Sequence, residues 1–171
     1  MVYPIVKYGD SVLERRGEDV ADFDSPELHK LIEDMFESMY AARGVGLAAP
    51  QIGISRRIAV IDCSGNEDQP ERIVLINPEI ISVEGLQTGE EGCLSIPGFR
   101  EQVTRAQQVT VRAQNVKGEW FEMMGEDLLA RAFLHETDHL NGKLYINHVS
   151  ALKRDLIRRK VKKLQKAGEW T

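Results

Sequence analysis

The chain has 171 residues, 42% hydrophobic and 29% charged, with a net charge of −5. That length suits one domain with a sizeable core, and no apolar run approaches the roughly 20 residues of a membrane-spanning helix. Two cysteines, Cys63 and Cys93, are too few for a disulfide scaffold and fit a reducing cytosol, so a cytoplasmic protein is expected.

The opening stretch MVYPIVKYGD carries neither the apolar h-region of a secretory signal nor an Arg/Ser-rich import leader. Next, DSPELHKLIEDMFESMYAA predicts a helix, with Ser25 as N-cap, Pro26 where proline is tolerated, and Glu27 in the first turn. Leu28, Leu31, Ile32, Met35, Phe36 and Met39 form one apolar stripe that reads as core, and His29 falls off it onto the surface. RRIAVIDCS, RIVLINPEIISVE, QQVTVRAQN and EWFEMM are β-branched or aromatic runs bounded by turn residues and predict strands. Gly, Asn and Pro between them suggest antiparallel hairpins rather than repeated βαβ units. A helix is expected from about Asp127, closed by Gly142, and a last one over roughly 150–166. No repeat, linker or low-complexity segment interrupts the chain. The expected architecture is α+β over 1–171: antiparallel or mixed strands around a central helix, with a C-terminal helix.

The central helix carries the chemistry. His135 and His139 stand four apart in RAFLHETDHLNG, so both rings can reach one ion from a single helical face, with Glu136 beside them as a candidate base. Leu128, Ala132, His135 and His139 share a face that reads as buried. Two histidines do not complete a catalytic site, which usually has three protein ligands and one open position. The longer protease pattern fails because the position for a third histidine is Tyr145, and the downstream carboxylates Asp155 and Glu169 lie in the basic tail. His148, beyond the helix, has no clear geometric claim. The better donor is upstream: Cys93 in EEGCLSIPG follows a glycine among turn residues, whereas Cys63 ends an apolar run and reads as core.

Three blocks, GVGLAAPQ (44–51), EGCLSIPG (91–98) and HETDHLNG (135–142), together resemble the peptide deformylases, and the likeness extends over nearly the whole chain. The resemblance implies a metal-dependent hydrolase that removes the N-formyl group from the first methionine of new polypeptides and releases formate. It implies Cys93, His135 and His139 as ligands of one divalent ion, Fe2+ natively, with Zn2+, Ni2+ or Co2+ in purified protein. It makes Glu136 the catalytic carboxylate, and Gln51 and the Leu94 backbone N–H the oxyanion donors. Gly46 becomes a backbone contact for the peptide, and Val45, Leu47 and Leu128 help line the methionine pocket. Asp138 reads equally as an acceptor for a ligand ring N–H or as a solvated carboxylate. Two positions depart from the family pattern. Leu134 replaces a common glutamine without touching the ligand set, and Arg131 stands where many members are apolar, its stem expected on the pocket wall and its head in water.

Two other readings compete. A metal-dependent peptidase needs the same activated water, and formate release without chain cleavage separates the two. A ribosome- or RNA-binding module with a structural metal would need a fourth donor, which is not apparent. The tail nonetheless suggests an anionic partner. Residues 153–166 hold eight basic residues against Asp155 alone, a charge of +7, so the remaining chain is −12. Leu152, Leu156, Ile157, Val161 and Leu164 recur at helical spacing, so one face is expected to pack on the domain while the others carry the basic residues; the resemblance to deformylases implies that their anionic partner is ribosomal RNA. A monomer without membrane contact is expected.

Overall fold

A computed structural model describes residues 1–171. Helix α1 (Pro26–Ala41) begins as its sequence directs: the Ser25 side chain accepts from the Leu28 N–H at 3.1 Å, satisfying one of the four amides a helix start leaves open. Leu28, Ile32, Met35, Phe36 and Met39 are buried, while His29 is exposed and pairs with Asp24. Five strands form one antiparallel sheet: β1 (Gly46–Ala48), β2 (Ile58–Ile61), β3 (Ile73–Glu84), β6 (Gln108–Gln114) and β7 (Trp120–Glu126), in that spatial order. Between β3 and β6 the chain makes a separate hairpin, β4 (Gln87–Cys93) with β5 (Ile96–Arg105).

Strand alternation sorts the core into two layers. Leu47, Ile58, Val60 and Ile76 pack with α1 on one face. Ala48, Ala59, Ile61 and Leu75 pack on the other with helix α2 (Asp127–Leu140). A third cluster lies under β5, the Tyr145–His148 turn and helix α3 (Ala151–Lys166). Gly142 ends α2 at φ +77°, donating to the His139 carbonyl at 3.1 Å, and a Cβ there would lie 2.8 Å from the Arg15 backbone. Both the left-handed turn and the close approach therefore require glycine.

Antiparallel pairing and the three α-helices match the sequence reading, but three strands are not predicted by it. β1 is only three residues long, inside a block that reads as a turn. β4 and β5 contain Gly89, Gly92, Pro97 and Gly98 and several charges, so neither has strong local propensity; each exists because the other pairs with it. The tail also differs in detail. Ile157 and Val161 are buried, but Leu152 and Leu156 are exposed, because one face of α3 meets the domain on a narrow stripe. Arg158 is tied down, its Nε donating to the Tyr8 hydroxyl at 3.1 Å. No helix is long and apolar enough to cross a membrane.

Candidate metal centre

α2 crosses beneath the sheet with His135 and His139 facing the β4–β5 hairpin, whose end delivers Cys93. The ligand atoms of Cys93, His135 and His139 all lie within 4.8 Å of one another. His139 Nε2 is 3.2 Å from His135 Nε2 and 3.3 Å from Cys93 Sγ. Donors on a tetrahedron with bonds of about 2.0–2.3 Å stand roughly 3.3–3.7 Å apart, so one ion suits all three. Cys93 is the last residue of β4, and where the hairpin register shifts between Gly92 and Cys93 the extra residues lie in β5, so β4 keeps its alternation up to Cys93. His148 is not with them; it pairs with Asp138 at 2.9 Å. Cys63 packs in the layer beside α2, where burial pushes its thiol up to about 11.

The outer edge of the centre is set by a residue that the sequence reading passed over. His135 Nδ1 is 2.7 Å from Glu91 Oε2; with Nε2 turned to a metal, Nδ1 carries the proton and donates it there. Arg105 donates to the same carboxylate through Nε at 3.1 Å and Nη2 at 2.7 Å, and Arg131 through Nη1 at 2.9 Å. Burial alone would raise the Glu91 pKa, but the donors from His135 and Arg105 hold it well below the usual carboxylate range. Its signal was present: Glu91 is two residues before Cys93, hence on the same face of a strand, once that segment is known to be one. Asp138 takes neither of its two expected roles. It accepts from Arg105 Nη1 at 2.8 Å and so braces the arginine that braces Glu91. Arg131 is also not as expected. Its head does not reach water, since the residue is 7% exposed and bound inside the wall. Tyr145 stacks on the His135 ring with centroids 6.4 Å apart.

A cleft of about 600 Å³ opens over the three donors, walled by Val45, Gly46, Leu94, Leu128 and Glu136 among others. Glu136 is buried, its Oε1 has no partner, and burial pushes its pKa up to about 7. Gly46 permits this position, because a Cβ there would lie 2.8 Å from the Glu136 carboxyl carbon. Gln51 is fixed by accepting from the Ala48 N–H at 3.0 Å. Its Nε2 then lies 3.2 Å from Ser95 Oγ and 3.5 Å from Cys93 Sγ. Leu128, in the first turn of α2, sits exposed on the lip rather than in a buried stripe. Leu47 does not line the cleft: one residue from Gly46 along β1, it points to the opposite face and packs under α1.

Three donors around one point, with a buried carboxylate facing the same open cleft, is the construction of a metal-dependent hydrolase. Known proteins specify which. The polypeptide deformylase family model matches residues 2–155. A peptide deformylase of Acidobacterium capsulatum is 63% identical over 170 residues, 99% of both chains. The crystal structure of a Legionella pneumophila peptide deformylase superposes with a TM-score of 0.90 at 47% identity, covering 100% of this chain and 99% of that one. The Thermus thermophilus peptide deformylase structure gives 0.84 at 42% identity, covering 94% and 93%. The chain belongs to the polypeptide deformylase family, and its reaction is removal of the N-formyl group from nascent peptides.

Proposed function

We propose that residues 1–171 act as one deformylase domain with Cys93, His135 and His139 as metal ligands, Glu136 as proton carrier, and Gln51 with the Leu94 N–H as oxyanion donors. The observation that carries this is the convergence of the three ligand atoms beside a buried carboxylate with a free oxygen. A divalent ion bound there supplies Lewis acidity and a water acidified toward neutral pH. Glu136 accepts the proton released as the water attacks the formyl carbon and returns it to the departing amine. Its raised pKa suits both halves of that transfer, being close to the pH at which each direction is comparably favourable. Gln51 Nε2 and the Leu94 N–H donate to the oxygen that becomes negative; the tie to Ala48 holds the Gln51 amide in place, and one Nε2 hydrogen turns from the long contact to Cys93 Sγ to that oxygen. Gly46 provides the edge along which the peptide backbone lies, and Val45 and Leu128 help line the methionine pocket.

The native ion in this reading is Fe2+, in line with the family resemblance. The same thiolate and imidazoles also suit Zn2+, Ni2+ and Co2+. Protein purified without oxygen should contain close to one iron per chain, release formate from a formyl-Met peptide without cleaving it, and lose activity in air as iron and the Cys93 thiolate oxidise. Peptide cleavage, or an iron-loaded protein indifferent to prolonged aeration, would contradict it. Gln51→Ala should lower kcat by about 10²–10³, as removal of one oxyanion donor does elsewhere. A change in KM alone would place Gln51 in ground-state binding.

The protein is further proposed to work in the cytoplasm as a monomer, with α3 meeting ribosomal RNA near emerging chains. Arg159, Lys160, Lys162 and Lys163 are exposed on α3, whereas Arg158 is engaged with Tyr8 and is better left intact. Reversing those four to glutamate should spare turnover of free formyl peptides and abolish salt-sensitive ribosome binding. Unchanged ribosome association at low salt would leave α3 an ordinary charged surface.

A further inference from the structure

The side chain most at odds with its expected place is Arg131. It lies on α2 one turn before His135, on the same face, and is almost completely shielded from solvent. A buried guanidinium is stable only where it is paired. Here Nη1 donates to Glu91 Oε1 at 2.9 Å and to the Val103 carbonyl at 3.1 Å. Gly89 of β4 faces the guanidinium, and a Cβ there would stand in ordinary contact with Arg131 Nη2 at 3.4 Å, while Nη2 itself has no hydrogen-bond partner.

We propose that Arg131 is a positioning residue for the metal centre: it locks the Glu91 carboxylate, and through it the His135 ring. This rests on the ligand assignment proposed above. The Glu91 carboxylate has about four lone-pair directions, and four donor atoms occupy them. Oε1 receives Arg105 Nε and Arg131 Nη1; Oε2 receives Arg105 Nη2 and His135 Nδ1. With every direction taken, the carboxylate cannot rotate and His135 Nδ1 is held at 2.7 Å. The charges also balance: Arg105 and Arg131 face Glu91 and Asp138. Without Arg131, one arginine must serve both carboxylates, and Oε1 keeps a single donor at 3.1 Å. Glu91 is then free to swing, and the imidazole that depends on it loses its fixed angle toward the ion.

The rival account is that Arg131 merely fills the cleft wall with its aliphatic stem. Arg131→Met keeps that stem volume and removes the donors; Arg131→Lys keeps the charge and a single donor point in place of the fork. Each variant and the wild-type protein would be loaded with Co2+ and compared by visible absorption, cobalt affinity under chelator competition, melting temperature, and kcat and KM on a formyl-Met peptide. Arg131→Met is expected to shift the cobalt bands and weaken cobalt binding about 10–100-fold, the usual range for losing an outer hydrogen-bond partner, with kcat lowered and KM unchanged. Arg131→Lys should fall between it and the wild type. Wild-type bands and affinity in Arg131→Met, or an effect confined to KM, would overturn the proposal in favour of the wall-filling account. If Arg131→Met does not fold, a stable Arg131→Lys decides alone: shifted bands with weakened affinity support the proposal, and wild-type values overturn it. A wild-type protein that binds no cobalt, or shows no thiolate-to-cobalt absorption, would instead overturn the ligand assignment on which the inference rests.

Discussion

Replacing Glu136 by glutamine is expected to lower kcat about 10²–10⁴-fold while metal content stays at the wild-type level, because the change removes the proton carrier and no ligand. Glutamine has nearly the same shape, and the pocket accommodates it: Oε1 of Glu136 makes no hydrogen bond that an amide would break. The side chain also lies against the Gly46 Cα, so its position is set by backbone rather than by charge. The loss should therefore appear in turnover, with little change in KM or melting temperature. Metal analysis beside steady-state kinetics checks this. A variant retaining most of its activity would remove Glu136 from the mechanism. One that lost its metal would recast Glu136 as a structural support of the centre.

Glu91→Ala should be the most damaging single change to stability outside the apolar core. Arg105 and Arg131 would both remain buried with their shared carboxylate gone, an imbalance that typically costs about 3–5 kcal/mol. For a chain of this size that corresponds to a melting temperature lower by on the order of 10 °C. His135 would lose the acceptor that orients its ring, so metal affinity should fall about 10–100-fold as well. Calorimetry of the metal-free protein isolates the first effect, and chelator competition on the loaded protein the second. A variant that melts with the wild type would show that water pairs the two arginines, and the buried network would then carry no stability.

What could be read in the chain and what could not divides along one physical line. Local rules were enough for α1, whose cap, proline and apolar stripe lie within one segment, and for α2, whose i, i+4 histidines announce a shared ligand and whose end needs glycine at position 142. The donor set was legible because metal chemistry limits which residues can serve and Cys93 follows a glycine among turn residues, and the resemblance of three blocks to the deformylases implies the same set. The β4–β5 hairpin was not legible, since glycine- and charge-rich strands exist only by pairing with each other. Everything that depends on that pairing was lost with it. Sequence alone does not show that Glu91 holds a ligand ring, it leaves Asp138 open between a ligand ring and solvent although it serves Arg105, and it sends the Arg131 head to water although that head is buried. Leu47 failed for a related reason, because a strand of three residues decides which face each side chain takes and the block around it reads as a turn. By itself the sequence determined which side chains form the three-donor cluster, since those residue types are few and the spacing of its two histidines is local. Only the tertiary structure decided which buried charges hold those atoms still, because a carboxylate's partners are chosen by strands and helices brought together from distant parts of the chain.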